Sequence, residues 1–312
     1  MDLSKCPLYG LSRKRDLNNL LKTKVKNNNN YNLMYKPYID KKPKKRLIEA
    51  PKKDLKDIQK RIKKYLDYIE YPNNVFSGIK GKSYIDNAYY HIDSNYFVKM
   101  DLSKFFPNTS REKIYRFYVD KMKMKSDIAA IMTDLSSVDI TNMITDEIKE
   151  FIDAKGIKYT NHLPSGSPIS SILSYLSNFD MFNELNILAK KYNCKVSFYV
   201  DDIIFSSKNK MSKGLIRDAK KIITCNNQVV NIDKTKTYIT NDFKKITGCV
   251  IKNHELVIPN KTRYKIAKML KQDNYTQKEI NSILGLINNV HLFDRKKYND
   301  LQFKIKNKSI SM

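Results

Sequence analysis

The 312-residue chain predicts an α+β fold built around an antiparallel sheet. Three observations carry that prediction. Residues 197–206 place two acids, Asp201 and Asp202, between two apolar runs rich in β-branched and aromatic residues, which reads as strand, tight turn, strand. Phe97-Val98-Lys99-Met100-Asp101 reads as another strand, ending in an acid. Around these strands lie segments with apolar residues at helical spacing, as in residues 54–69, where they fall at 55, 58, 62, 65, 66 and 69.

The elements follow in order. Residues 1–35 are polar and run into Asn27-Asn28-Asn29-Asn30, a loop signal that separates an N-terminal helix from the basic segment after it. The helix over 54–69 comes next, its apolar stripe flanked by lysines. Beyond the strand at 97–101, Thr109 with Glu112 has the spacing of a capping box, and Ile114, Tyr118 and Met122 mark one face of the helix it would open. Pro168 starts a second helix, marked by Ile169, Ile172, Leu173, Leu176, Leu185 and Leu188. In the acidic hairpin, alternation turns Phe198 and Val200 to a core, and Tyr199 and Asp201 to a cleft. Residues 238–258 read as short strands. From Asn260 the helical period returns, first in Tyr264, Ile266, Ala267 and Leu270, then in Ile280, Ile283, Leu284 and Ile287.

Charge narrows the class of partner. The chain has 59 Lys plus Arg against 32 Asp plus Glu, a formal charge of +27. Such a chain repels itself unless it meets a polyanion, and nucleic acid is the natural one. The charge is clustered, with 12 basic and 3 acidic residues over 41–65, and 12 basic and 4 acidic over 260–312. Solvated helix faces would give runs of the same kind. The 21 Tyr and 13 Phe offer stacking surfaces for bases as well as core material. Cys6, Cys194, Cys225 and Cys249 stand apart, without the spacing of a zinc site or a disulfide framework. No apolar run reaches membrane-spanning length and no signal-peptide pattern opens the chain. A cytoplasmic location without membrane contact is the expectation.

Taken singly, an Asp-Asp turn fits a solvated hairpin tip, and Asp101 fits a helix cap. Together they fit more. A strand ending in Asp and a hairpin carrying Asp-Asp can supply carboxylates to two divalent ions, which clamp the attacking and leaving oxygens of an in-line phosphoryl displacement.

Tyr199-Val200-Asp201-Asp202 resembles the polymerase signature of reverse transcriptases, and Asp101-Leu102-Ser103-Lys104-Phe105-Phe106 resembles their first catalytic motif. Other blocks follow in family order. Lys45-Arg46-Leu47-Ile48-Glu49-Ala50-Pro51 resembles the fingers motif over the incoming triphosphate. Leu163-Pro164-Ser165-Gly166-Ser167-Pro168 resembles the loop that opens the template-contacting helix. Asn231-Ile232-Asp233-Lys234-Thr235 resembles the palm block with its Lys-Thr. The resemblance covers roughly residues 40–290. Two further elements are similar to those of bacterial retron reverse transcriptases: Asn87-Ala88-Tyr89-Tyr90-His91, and Ile246-Thr247-Gly248, with Ile in place of the usual Val. A hydrogen-bonded pair one helical turn apart, and a strand kink, would account for the same residues.

The resemblance implies a right-hand polymerase. Fingers would take 1–92 and 112–162, an antiparallel-sheet palm 93–111 and 163–258, and a short helical thumb with the RNA-recognition region 259–312. Asp101, Asp201 and Asp202 would be catalytic and hold two Mg²⁺ ions, with the backbone oxygen of Leu102 completing a ligand set. Lys44, Lys45 and Arg46 would meet the triphosphate, Arg46 with its rigid fork. Phe106 would exclude a ribose 2′-hydroxyl. Lys234 would donate a proton to pyrophosphate. Ser165 stands where similar enzymes usually have Gln, and with Gly166 would turn the backbone against the base pair. Asn87, His91, Thr247 and Gly248 would shape the RNA-recognition surface, directly or by supporting it, and Arg263, Lys265, Lys268 and Lys271 would grip phosphates.

A retron enzyme would copy part of a cognate structured noncoding RNA from deoxynucleoside triphosphates. The product would be a branched RNA–DNA hybrid, and an effector protein would act alongside in anti-phage defence. Two readings compete with this one. A different small bacterial reverse transcriptase, from a diversity-generating element or an intron, would normally show other residues after Pro168. A non-catalytic RNA-binding scaffold would have no need of the three intact acids.

Overall fold

The computed structural model describes residues 1–25, 31–41, 44–269 and 276–291, together with 293, 299 and 302. The asparagine run at 27–30 and Lys271 lie outside the described residues.

Helix α1 (Lys14–Leu21) buries Leu17 and Leu21 and closes on Lys22, whose left-handed backbone returns its N–H to Asn18 and Asn19. Strands β1 (Tyr35–Asp40) and β2 (Arg46–Pro51) form an antiparallel pair, from Asp40 opposite Arg46 to Tyr35 opposite Pro51. Helix α2 (Lys53–Leu66) buries Leu55, Ile58, Ile62 and Leu66 of the predicted stripe, leaves Tyr65 half-buried and ends short of Ile69. It holds α1 by two bonds to carbonyls at that helix's end, from Arg61 Nη1 to Leu21 (2.8 Å) and from Tyr65 Oη to Leu20 (3.0 Å). Helix α3 (Tyr84–Tyr89) is short and opened by a capping box between Ser83 and Asp86.

Strand β3 (Tyr96–Ser103) is the centre of the main sheet. Helix α4 (Arg111–Arg116) follows and continues into a π-helical turn over Phe117–Lys121. Its cap is Ser110, not Thr109: Ser110 Oγ accepts from the Lys113 N–H, while the Thr109 hydroxyl donates to the Phe105 carbonyl at 2.9 Å. Ile114, Tyr118 and Met122 are all buried, as predicted. Helix α5 (Ser126–Ser136) is largely buried. Strands β4 (Val138–Asp139) and β5 (Asn161–His162) pair around α6 (Asp146–Lys155).

The helix expected over 169–188 is two helices, α7 (Ser170–Ser177) and α8 (Phe179–Lys191). Asn178 makes the break because its side chain is fully engaged there. Its Nδ2 donates to Thr109 Oγ1 (3.0 Å) and the Ser174 carbonyl (2.9 Å), and its Oδ1 accepts from Lys113 Nζ (2.6 Å) and Gln228 Nε2 (3.1 Å). Burial lowers the Lys113 ammonium to about 8.

Strands β6 (Lys195–Tyr199) and β7 (Asp202–Ser207) form the predicted hairpin. Helix α9 (Gly214–Cys225) leads to β8 (Val229–Val230) and β9 (Lys236–Tyr238), which share the remaining edge of β3. The sheet runs β6-β7-β3-β8, with β9 beside β8, and every pairing is antiparallel. Its two faces differ. Val98, Met100, Leu102, Val196, Phe198, Ile203 and Phe205 enter the main core. Phe97 and Ile204 face a smaller cluster with Ile85, Ala88, Ile246, Cys249 and Ile251.

That cluster comes from α3 and a second sheet, β10 (Lys244–Ile246), β11 (Cys249–Lys252) and β12 (Glu255–Val257). Thr247-Gly248 is the two-residue turn between β10 and β11, and both residues have positive φ (44° and 94°), as a type I′ hairpin requires. Helices α10 (Asn260–Met269) and α11 (Gln277–His291) finish the described chain, joined to what precedes them by Ile258, Ile266 and Val290.

Candidate active site

The antiparallel register places Asp101 of β3 directly opposite Asp202, the first residue of β7. Asp201 occupies the turn, and its carbonyl accepts from the Leu102 N–H at 2.8 Å, which extends the ladder one residue past the strand. The Leu102 side chain points the other way, into the main core. Val200 reaches the turn with φ of 55°, a left-handed backbone at a β-branched residue. Lys99, Asp101 and Asp202 share one sheet face, since antiparallel partners point together and side chains alternate.

Two lysines answer the three acids. Lys234 Nζ donates to both Asp101 oxygens at 2.9 Å, and Lys99 Nζ lies 2.9 Å from Asp202 Oδ1. Among the described residues Asp201 has no such ion pair. Burial, and then the neighbouring charges of Asp101 and Asp202, push its carboxyl up to about 6. Asp202 is also raised, by burial first, against the pull of Lys99. The cluster carries more negative charge than its lysines compensate. Its hard carboxylate oxygens are the donor type that Mg²⁺ takes. Among the described residues no three His, Cys, Asp or Glu side chains converge as a ready-made metal cage. The lysines stand on two of the acids instead.

Lys44, Lys45 and Arg46 are exposed where the chain enters β2. Deeper in that strand Glu49 is fully buried. Its Oε2 accepts from the Ser165 N–H at 2.7 Å, its own N–H donates to the Ser165 carbonyl at 2.7 Å, and its Oε1 lies 3.1 Å from His162 Nε2. Ser165 therefore takes part through its backbone. Gly166 follows with φ of 111°, and a Cβ there would come within 3.1 Å of Ile48 Cγ2. Glycine meets both demands. Phe106 is half-buried in the loop after β3, its ring centroid 6.1 Å from that of Phe105.

The sequence did not single out Glu49, His162 or Lys99. Strand alternation held a signal for two of them: Glu49 shares its face with Leu47 and Pro51, the buried side of β2, and Lys99 shares its face with Asp101.

Asn87 and His91 are both fully buried, which fits the supporting form of the role expected of them rather than direct contact. Asn87 Nδ2 reaches Thr247 Oγ1 at 3.4 Å, and Thr247 Oγ1 donates to the Tyr84 carbonyl at 3.1 Å. The two elements similar to those of retron enzymes thus meet each other. Gly248 is exposed at the turn. Arg263, Lys265 and Lys268 are exposed on α10. Among the described residues no helix is long and apolar enough to cross a membrane.

Helices packed on an antiparallel sheet that carries three acids are consistent with a right-hand polymerase fold. The chain belongs to the reverse transcriptase (RNA-dependent DNA polymerase) family, whose profile matches residues 39–288. It is 26% identical over 215 residues to the retron Se72 reverse transcriptase of Salmonella heidelberg, a match covering 66% of this chain and 49% of that protein. It is 25% identical over 262 residues to the retron Ec83 reverse transcriptase of Escherichia coli, covering 78% and 77%. Against the retron Ec86 reverse transcriptase of Escherichia coli the identity is 25% over 232 residues, covering 73% and 65%. The chain thus spans about half the length of the Se72 relative.

Proposed function

We propose that this chain is the RNA-directed DNA polymerase of a retron, copying part of a cognate structured noncoding RNA into DNA. The observation that carries the proposal is Asp101 in register with Asp202, with Asp201 beside them, in a chain of the reverse transcriptase family. Similarity to retron enzymes supports the narrower reading.

Asp101 and Asp201, with the Leu102 carbonyl, would hold Mg²⁺, and Asp202 would balance Lys99. Bound Mg²⁺ supplies a lowered pKa for the primer hydroxyl and charge neutralisation for the triphosphate. The chain's own residues do the rest. Lys234, which bonds both oxygens of Asp101, would have an ammonium proton to give to pyrophosphate. Arg46, with Lys44 and Lys45, binds triphosphate oxygens. Phe106 lies under the sugar and selects deoxynucleotides. The Ser165-Gly166 turn, braced by Glu49, bears on the templating pair. Arg263, Lys265, Lys268 and Lys271 hold duplex phosphates without reading sequence. The division into fingers (1–92, 112–162), palm (93–111, 163–258) and thumb (259–312) belongs to this reading. So do a branched RNA–DNA product, an effector protein partner and a cytoplasmic role in anti-phage defence.

The test is synthesis by the purified chain on the RNA encoded just upstream of its gene, with deoxynucleoside triphosphates and Mg²⁺. Expected is DNA covalently joined to that RNA. DNA made only on added primer–templates would leave a polymerase and remove the retron. No DNA on any template would remove both.

A further inference from the structure

His91 bonds two serines on the sheet face that carries the acids, at the opposite end of the hairpin from them. It is fully buried, and so are Ser197 of β6 and Ser206 of β7. Its Nε2 lies 2.6 Å from Ser197 Oγ and its Nδ1 lies 2.6 Å from Ser206 Oγ, so one ring nitrogen donates and the other accepts. Ser94 Oγ bonds Ser206 Oγ at 2.9 Å. Burial, then Lys195 nearby, holds the imidazole at about 3, so the ring stays neutral at working pH.

The placement of the serines matters. Ser197 lies four residues before Asp201, and Ser206 four residues after Asp202. The register, with Lys195 opposite Ser206 and Ser197 opposite Ile204, puts both on the sheet face that carries Asp202 and Asp101. One ring therefore ties both legs of the hairpin at its base, about 13 Å from the tip at the usual rise per residue. The ring is itself fixed. It packs against Phe97 and Tyr90, with centroids 6.0 and 5.0 Å away. It follows α3, which Asn87 and Ile85 join to the β10–β11 turn and its cluster.

We propose that His91 is a positioning residue for nucleotide addition: by tying Ser197 and Ser206 to α3 it sets Asp201 and Asp202 against Asp101, whatever the template. This rests on the polymerase reading of the three acids. It differs from an RNA-recognition role, which would affect the cognate RNA alone.

The experiment compares wild-type chain with His91→Phe, His91→Gln, and the triple variant His91→Phe with Ser197→Ala and Ser206→Ala. Single-nucleotide addition is measured on a generic primer–template and on the upstream-encoded RNA, together with thermal stability. His91→Phe keeps the bulk but strands the buried Ser197 hydroxyl and leaves Ser206 bonded to Ser94 alone, so it loses stability as well as rate. The triple variant removes both hydroxyls, costs Ser94 its bond to Ser206, and should recover part of the stability, because replacing both partners by apolar groups can be nearly neutral. Its kcat should stay down by about ten- to a hundredfold, the scale of a small misplacement of reacting groups. KM for the nucleotide should hold within about twofold, and the loss should be equal on both templates. His91→Gln, which can still bond one serine, should fall between. If His91→Phe does not fold, Ser197→Ala and Ser206→Ala alone should each lower kcat on both templates. Wild-type kcat in the stable triple variant, or in both serine variants, would overturn the proposal. So would a loss confined to the cognate RNA. Asp201→Asn serves as the separate control: if it remains active, the polymerase reading fails first.

Discussion

Glu49 and Ser165 are bonded to each other twice, through the Ser165 N–H to the Glu49 carboxylate and the Glu49 N–H to the Ser165 carbonyl, each at 2.7 Å. This joins the strand that begins at Arg46 to the loop that opens α7. Glu49→Ala leaves a backbone donor and His162 facing an empty site in the interior. Stability should drop by about 2–3 kcal/mol, the usual cost of losing a buried hydrogen bond to a charged group. Glu49→Gln keeps one acceptor and should lose less. Urea denaturation of the two variants checks the order, and a raised KM for nucleotide in Glu49→Gln would show that the brace also positions Arg46.

Asp201→Asn should give an inactive protein that is more stable than its parent. The Asp201 carboxyl sits at about 6 in the fold against an ordinary 3.8. The folded state therefore binds this proton more tightly than the unfolded state does. The stability it contributes is fully present below about 4 and is lost as pH rises through about 6. In EDTA, the parent's melting temperature should fall across that window more steeply than that of Asp201→Asn. At pH 7.5 the variant should melt higher, with Mg²⁺-dependent synthesis gone and RNA binding kept. Equal melting curves at every pH would show that the carboxyl is solvated.

Phe106→Val should raise the use of ribonucleotides relative to deoxynucleotides by about tenfold or more, as a hydroxyl would no longer be forced unpaired against an aromatic face. Paired single-turnover measurements with dGTP and GTP give the ratio. An unchanged ratio would make Phe106 a packing residue beside Phe105.

Replacing Arg263, Lys265 and Lys268 together by Ala should weaken binding to any duplex alike. The plot of log affinity against log salt should become shallower by about 2–3, near one unit for each phosphate no longer neutralised. Filter binding at several salt concentrations measures both effects. Preference for the cognate RNA should survive, since phosphate-gripping side chains do not read sequence.

Much of this was legible in the chain because it is written locally. Asp201 and Asp202 adjoin within a hairpin whose strands announce themselves by composition, and Asp101 ends a clear apolar run. The α2 stripe follows from period alone. What was not legible depends on partners far off in sequence. Asn178 looks like a tolerable helix residue until Thr109, Lys113 and Gln228 engage its side chain and stop the helix. Thr109 looks like a cap until Ser110 takes that place. Asn87 and His91 stand out only by resemblance to a retron element, and nothing local in the chain marks them as buried. The serines on β6 and β7 satisfy both His91 nitrogens, and Thr247 accepts from Asn87 Nδ2, while Asn87 Oδ1 is buried without a partner among the described residues.

Val200 has the last consequence. A branched Cβ in a left-handed turn costs about 1–2 kcal/mol relative to a residue at ease there. Asparagine, at ease in that backbone, would relieve the strain while keeping the turn that carries Asp201. Position 200 is thus a place where one substitution could harden this protein without moving its acids.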